Sequence, residues 1–383
     1  MDPRLHRPRV DPPLHLRRPR ARPEPPRVAR SRPRPSPART PRRPGHLRHR
    51  QHHAHPAGAV RGGPHGRVRR AAPRHRRPRD VSARHRTAHP ALQRLGAAKS
   101  YVGLLAATLA HDGLLDRSAR TSAFVPELAG TAFGEARIED LLHMGTEVSY
   151  AGRPYDKARE AQRYHAVIAP QLRPFGYNGP TTIREHLLTA RATGQPGTGF
   201  RYENGNVEAL AEVLRRVTGL STSALLSELI WSRTGAEEDA YYILDGDGVE
   251  AACGGFSATA RDVARLGEML RCEGAVGDRQ VVPAEVVKSI TGGVPDGYPR
   301  RVRSPGAPST SPATLSYHDL WWILNDPYDS YMASGIHGQR LFVSPGLDLV
   351  VVHFGSQVVS PAVPAAPLVQ AFLRIGTRLA GLG

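Results

Sequence analysis

Gly96-Ala97-Ala98-Lys99-Ser100-Tyr101-Val102-Gly103-Leu104-Leu105 is a lysine one turn into an almost wholly apolar run that continues to His111. With Val102, Leu104, Leu105 and Leu109 set among Ala and Gly, the run predicts a buried central helix, stopped near Asp112-Gly113. On a helix, residues three apart share a face, so a hydroxyl at position 96 could hand its proton to the Lys99 amine. Position 96 is glycine. The chain has three lysines, at 99, 157 and 288, and the residues three before them are Gly96, Pro154 and Glu285. No Ser-x-x-Lys occurs anywhere.

Upstream of this helix the composition changes abruptly. Residues 1–95 hold 27 Arg, no Lys and 4 acidic residues, a net of +23 against +19 for the whole chain, which leaves residues 96–383 at −4. The same segment carries 18 of the 35 Pro and 11 of the 18 His, and no Phe, Tyr, Trp, Ile, Asn or Cys. So little large apolar surface cannot offset chain entropy, and disorder with short polyproline-like stretches is expected there. The pI near 10.8 belongs to this tail rather than to the remainder.

Two readings of the tail compete. Arg tracts such as His46-Leu47-Arg48-His49-Arg50 and Arg67-Val68-Arg69-Arg70 could neutralise nucleic-acid phosphates. Charge runs are more often solvated than functional, which disfavours a nucleic-acid partner. Arg without Lys, amid Pro, His, Ala and Gly, is also what GC-rich DNA yields when read out of frame.

Residues 96–383 are ample for one large domain. Cys253 and Cys272 are the only cysteines, so neither a disulfide framework nor a Cys-based metal site is implied. No apolar run reaches the ~18 residues of a membrane helix, and no leader pattern opens the chain, which tilts the reading toward the cytoplasm.

Periodicity predicts further helices over Val207–Thr218, Thr222–Trp231 and, opened by a capping box at Thr259-Ala260-Arg261-Asp262, through Leu270 to a stop at Gly274. Gln339–Ser344 and Asp348–Phe354 read as strands of a hairpin joined by Pro345-Gly346-Leu347, and Pro367–Leu379 as a helix lying on that sheet. Strands gather late and helices occupy the middle, an α+β pattern with an antiparallel sheet flanked by helices beside a helical region.

Three segments carry chemistry. Lys99, near a buried helix start, faces desolvation and the positive end of the helix dipole, both of which lower an amine's pKa toward general-base range. Arg201-Tyr202-Glu203-Asn204 precedes a helix; a loop tyrosine beside a cationic lysine can act as base, and the Asn204 amide can orient a substrate. The bland alternative is a turn whose Asn caps the next helix. Finally, Gly335-Ile336-His337-Gly338-Gln339 is a Gly-flanked strand edge whose N–H groups can polarise an acyl oxygen. For His337 alone, a local hydrogen bond at a strand start explains it as well as catalysis does.

Together with Cys253-Gly254-Gly255-Phe256-Ser257-Ala258-Thr259-Ala260-Arg261-Asp262 between the second and third, these segments resemble the class C β-lactamase-related serine hydrolases. Gly335–Gln339 is most similar to the 6-aminohexanoate-dimer hydrolase and esterase branch. The resemblance covers about residues 91–383 and implies a β-lactamase/DD-peptidase-like fold and hydrolysis of small carboxylic esters or amides through an acyl-serine. It implies no metal and no cofactor. Lys99 becomes the amine partner, Tyr202 the proton-transferring phenol, and either Ile336 or Gln339 the oxyanion donor. Gly96 stands where the family has its nucleophile. The family's N-terminal strands should be missing, since residues 1–95 show nothing strand-like, leaving an unpaired sheet edge. A chain so altered reads as an inactive hydrolase, or as a non-catalytic binding protein whose basic tail docks on polyanions.

Tyr150, Tyr155, Tyr164, Tyr177, Trp321 and Trp322 are expected to line the pocket or pack the core.

Overall fold

Every residue from Ala98 to Leu109 is buried in helix α1 (Ala98–His111), as a helix without a polar face requires. Gly113, at φ 72°, follows its end. The computed structural model describes residues 93–94, 98–150, 164–173, 175–303, 313–355 and 366–382; the expectations for Gly96, for Tyr155 and for nearly all of the Arg-rich segment lie outside the described residues.

Around α1 stand α2 (Ile138–Leu142), α3 (Asn204–Thr218) and α4 (Thr222–Leu229). Helix α3 starts three residues before its apolar stripe, because the Glu203 side chain accepts from the Gly205 N–H and so caps the end. Gly219, at φ 71°, closes it with its N–H on the Arg215 carbonyl. Helix α4 stops at Leu229 rather than Trp231; Trp231–Arg233 tightens into a 3-10 turn.

Helix α5 (Ala260–Arg271) is opened by Thr259, which accepts from the Asp262 N–H. The reciprocal half of the expected capping box differs. Asp262 instead accepts from the Thr259 hydroxyl, the N–H groups of Glu237 and Glu238, and Arg265. One buried carboxylate thereby ties a distant loop to the helix start.

A first sheet has β3 (Phe256–Ala258) between β1 (Gln93–Arg94) and β2 (Tyr241–Tyr242), antiparallel throughout. The pairing Gln93↔Ala258 corrects the expectation that nothing before position 96 is strand-like. Backbone pairing needs no apolar pattern, which is why Gln-Arg concealed it.

The main sheet is a five-stranded antiparallel meander, β4 (Ser316–His318), β5 (Trp321–Ile323), β6 (Tyr331–Ser334), β7 (Arg340–Ser344) and β8 (Leu349–His353) in that spatial order. Strand β7 is buried along its length. Helix α5 lies on one face, where a Cβ at Gly267 would meet Leu341 and Val350 at 2.7 Å. Helix α6 (Ala366–Leu379) covers the other, with Phe372 5.6 Å from Phe342. Among the described residues β8 is paired on one side only. No helix among them is long and apolar enough to cross a membrane.

Strands β4 and β5 join through a two-residue turn in which Asp319 and Leu320 both have positive φ, 47° and 64°. This is the twist-compatible hairpin geometry that normally selects Asn-Gly. Here tertiary contacts impose it: the Leu320 N–H donates to the Leu142 carbonyl at 3.0 Å, and the Ser100 hydroxyl donates to the Leu320 carbonyl at 2.7 Å. The turn presses so closely on α1 that a Cβ at Gly103 would lie 2.1 Å from the Asp319 carbonyl oxygen. Gly103→Ala should therefore destabilise the fold by about 1–3 kcal/mol or more, despite alanine's better helix propensity, measured as a lower urea midpoint.

Candidate active site

Lys99 sits on the first turn of α1, and its ammonium donates to the Cys253 carbonyl at 2.9 Å. The same Nζ lies 5.4 Å from the centroid of the Tyr202 ring, which the loop before α3 delivers. The structure therefore brings the first two sequence-singled residues together. Ser100, the adjacent hydroxyl, is 2% exposed and bound to the Leu320 carbonyl, so it offers no substitute nucleophile.

The charge state of Lys99 overturns the expectation of a depressed pKa. Burial does act to lower it, but Tyr202, Cys253, Glu208 and Glu203 act the other way, and the net displacement is upward. Lys99 is a fixed cation at neutral pH.

Glu208 is central to that field. Buried on α3, it accepts from the Tyr164 hydroxyl and from the N–H groups of Cys253 at 2.9 Å and Ala252 at 3.2 Å. It thus holds the carbonyl that receives Lys99. Burial pushes the Glu208 carboxyl up, only partly opposed by those hydrogen bonds, and pushes the Cys253 thiol up as well.

Glu203, next to Tyr202 in the chain, is anchored at the start of α3. It takes the Tyr150 hydroxyl at 2.8 Å, while its own N–H and the Asn206 amide both reach the Met144 sulfur, at 3.5 and 3.4 Å. Asn206 is fully buried and accepts from the Thr146 hydroxyl at 2.7 Å. Asn204 occupies the first position of α3 and is not its cap; that role belongs to Glu203.

Tyr202 stands in an aromatic wall. Its ring is 5.9 Å from Tyr317 and 5.5 Å from Trp322, and Phe200 packs 5.3 Å from Tyr317. Of the expected wall residues, Trp322 belongs here. Tyr150 and Tyr164 serve the two glutamates, fully buried Trp321 packs 5.4 Å from Tyr331, and Tyr177 donates to the Pro180 carbonyl. Phe200 and Tyr317 went unread because lone aromatics in loops and strands carry no motif.

The third segment leaves β6 and re-enters the sheet at β7 through a 3-10 turn, Ile336–Gly338, with His337 at φ 59°. Its N–H groups are not equivalent. That of Gln339 donates to the Ile336 carbonyl at 3.3 Å, whereas Ile336 begins the turn, where no intrahelical acceptor exists. The Gln339 side chain donates to the Gly355 carbonyl, and the Gly338 carbonyl meets His353 Nδ1 at 2.7 Å. His337 is half-buried and Gly338 buried.

Arg340 links this turn to the phenol. Buried at the start of β7, its Nη1 donates to the Gly335 and Gln339 carbonyls at 2.8 and 2.6 Å. Burial lowers its pKa while Tyr202 raises it, so guanidinium and phenol lie within electrostatic reach. Arg340 was not singled out from sequence, since an arginine opening a strand reads as surface.

Residues 96–373 match the beta-lactamase family. A 6-aminohexanoate-dimer hydrolase of Paenarthrobacter ureafaciens is 32% identical over 263 residues, which is 68% of this chain and 65% of that protein, so the chain spans just under two thirds of its relative's length. A Bacillus anthracis structure described as a 6-aminohexanoate-dimer hydrolase superposes with TM-score 0.67 at 32% identity, over 76% of this chain and 73% of that one. A family VIII carboxylesterase shares the fold at 17% identity and TM-score 0.52, over 74% and 83% of the two chains.

Because Glu208 is raised, its ionisation opposes folding. The stability that its protonated form contributes is intact below the ordinary carboxylate pKa near 4.5 and is lost as pH rises through the higher folded value. Glu208→Gln should flatten this slope, so the urea midpoint of wild type should fall relative to that of the variant between pH 4 and pH 8. A constant gap across that range would contradict the assignment.

Proposed function

Since the chain belongs to the beta-lactamase family, we propose that residues 96–383 form a hydrolase domain for small carboxylic esters or amides whose nucleophilic serine is replaced by Gly96. The amide-cleaving name of the Paenarthrobacter relative and the carboxylesterase fold support the substrate class. The observation that carries the reading is the approach of the Lys99 ammonium to the Tyr202 ring, with the carbonyl that receives Lys99 held in place by the buried Glu208 carboxylate.

In this arrangement a serine at 96 would attack the acyl carbon while Tyr202 takes its proton. Lys99 stabilises the negative charge that the phenol carries before it accepts that proton. The Ile336 N–H faces the developing oxyanion in preference to that of Gln339, which is already donated. Asn204 orients the substrate, and His337 with Gly338 borders the acyl group. Tyr202 passes the serine's proton to the departing alcohol or amine as the ester or amide bond breaks, which leaves the acyl-serine. Water then attacks, and Tyr202 takes its proton and returns it to the serine oxygen as the acid is released. Without the serine, only the residual rate of binding and oxyanion stabilisation remains.

The chain as written should neither label with a fluorophosphonate nor turn over p-nitrophenyl esters above background. Gly96→Ser should gain both. Adding Tyr202→Phe to that variant should cut kcat by about 10²- to 10⁴-fold while labelling slows in step. A folded but inert Gly96→Ser chain would favour the binding-protein reading instead, and chromatography on heparin would then test its basic tail. An insoluble chain that becomes soluble once residues 1–92 are removed, β1 being kept, would favour the out-of-frame origin of that segment.

A further inference from the structure

Behind the aromatic wall, three donors outside the proposed chemistry converge on one buried point. His143 follows α2, His318 ends β4, and Asp319 begins the turn to β5; all are buried, and their donor atoms lie within 4.8 Å of one another. The rings of His143 and His318 meet edge-to-face at 4.9 Å.

Protonation at His143 is set by its neighbour. Nδ1 lies 2.8 Å from the Glu139 carbonyl oxygen, which can only accept, so Nδ1 carries the hydrogen and Nε2 keeps its lone pair. That Nε2 is buried with no hydrogen-bond partner among the described residues. His318 Nδ1 is in the same condition. Two unsatisfied imidazole nitrogens in one buried place are costly unless something binds between them. An Nδ1–H donated to a carbonyl, leaving Nε2 bare, is how a metal-ligating histidine is held and oriented.

The local charge also fits a cation. Asp319 and Glu139 bring two carboxylates, against which Arg117 brings one guanidinium, donating to both Asp319 oxygens at 2.5 and 3.0 Å and to Glu139 at 2.5 and 3.2 Å. Each Asp319 oxygen retains a lone pair beyond the arginine bond. Both imidazoles are neutral when ligating, which leaves the group one negative charge in excess. Two imidazoles and a carboxylate without thiolate select a borderline divalent ion such as zinc, over calcium or magnesium, which want oxygen alone, and over soft thiolate-bound metals.

The geometry points to a structural zinc site formed by His143 Nε2, His318 Nδ1 and Asp319, with water completing the shell. Its position gives it a task. It would clasp the end of α2 to the β4–β5 turn that presses on Gly103, one residue from the Tyr317 ring that packs against Tyr202.

The histidine-rich tail also attracts zinc, so the test must locate the ion. Crystals of the full chain grown with zinc as the only added metal should show a zinc-edge anomalous peak between His143 and His318. After gel filtration of chelator-stripped, zinc-reloaded protein, His143→Ala/His318→Ala should retain one equivalent less than wild type. Asp319→Asn, closer in shape to the native side chain, should weaken this site by more than the roughly 10-fold that an outer-shell change brings. Zinc should raise the Tm of wild type and leave the double variant unmoved. A peak confined to the tail, or ordered water between the imidazoles with no anomalous signal, would overturn the proposal. Should the variants fail to fold, the wild-type anomalous map decides alone.

Discussion

A buried ammonium needs compensation, and the centre of this protein is organised around supplying it to Lys99. The carbonyl that accepts it belongs to a turn whose N–H groups are held by Glu208, and Tyr164 holds Glu208 in turn. Each member is buried, so each would be expensive alone. Removing any one leaves the others with unmet charge or hydrogen bonds, which makes the set a single unit rather than a sum of contacts. The same network places a permanent positive charge beside Tyr202, where an anionic phenol is otherwise costly.

Helix α3 is the physical link between core and site. It packs against α1, Glu203 caps its start, its first turn carries Asn206, and Glu208 follows on the next turn. The chain entering the helix therefore has little freedom, and Tyr202 is aimed by its successors. Across the cleft, Arg340 does comparable work for the turn at Gly335–Gln339, binding two of its carbonyls from inside.

Much of this was legible from residue order. Helix α1 announced itself by lacking a polar face, α5 by Thr259 and its apolar spacing, and β7–β8 by alternation around Pro345-Gly346. Lys99 was singled out by its place in an apolar helix and Tyr202 by its companions, and the structure brings the two within 5.4 Å of one another. The charge state of Lys99 was not legible, since Cys253 and Glu208 lie more than a hundred residues away and reverse what burial and the helix dipole alone would do. The β4–β5 turn was hidden for a related reason: Asp319-Leu320 is poor local turn chemistry, and its conformation is imposed by Leu142 and Ser100. The strand at Gln93–Arg94 lacked any pattern to read.

The one-sided pairing of β8 bears on how this protein behaves in a crowded solution. Among the described residues, Leu349–His353 is paired on one side only and leaves amide hydrogens and carbonyl oxygens on the other, with β-branched Val350, Val351 and Val352 at its middle. Such a margin is a ready template for another polypeptide to add to, including a second molecule of the same kind. Colloidal lifetime is then governed by how well that margin is screened, and it shortens with protein concentration even while the interior stays intact.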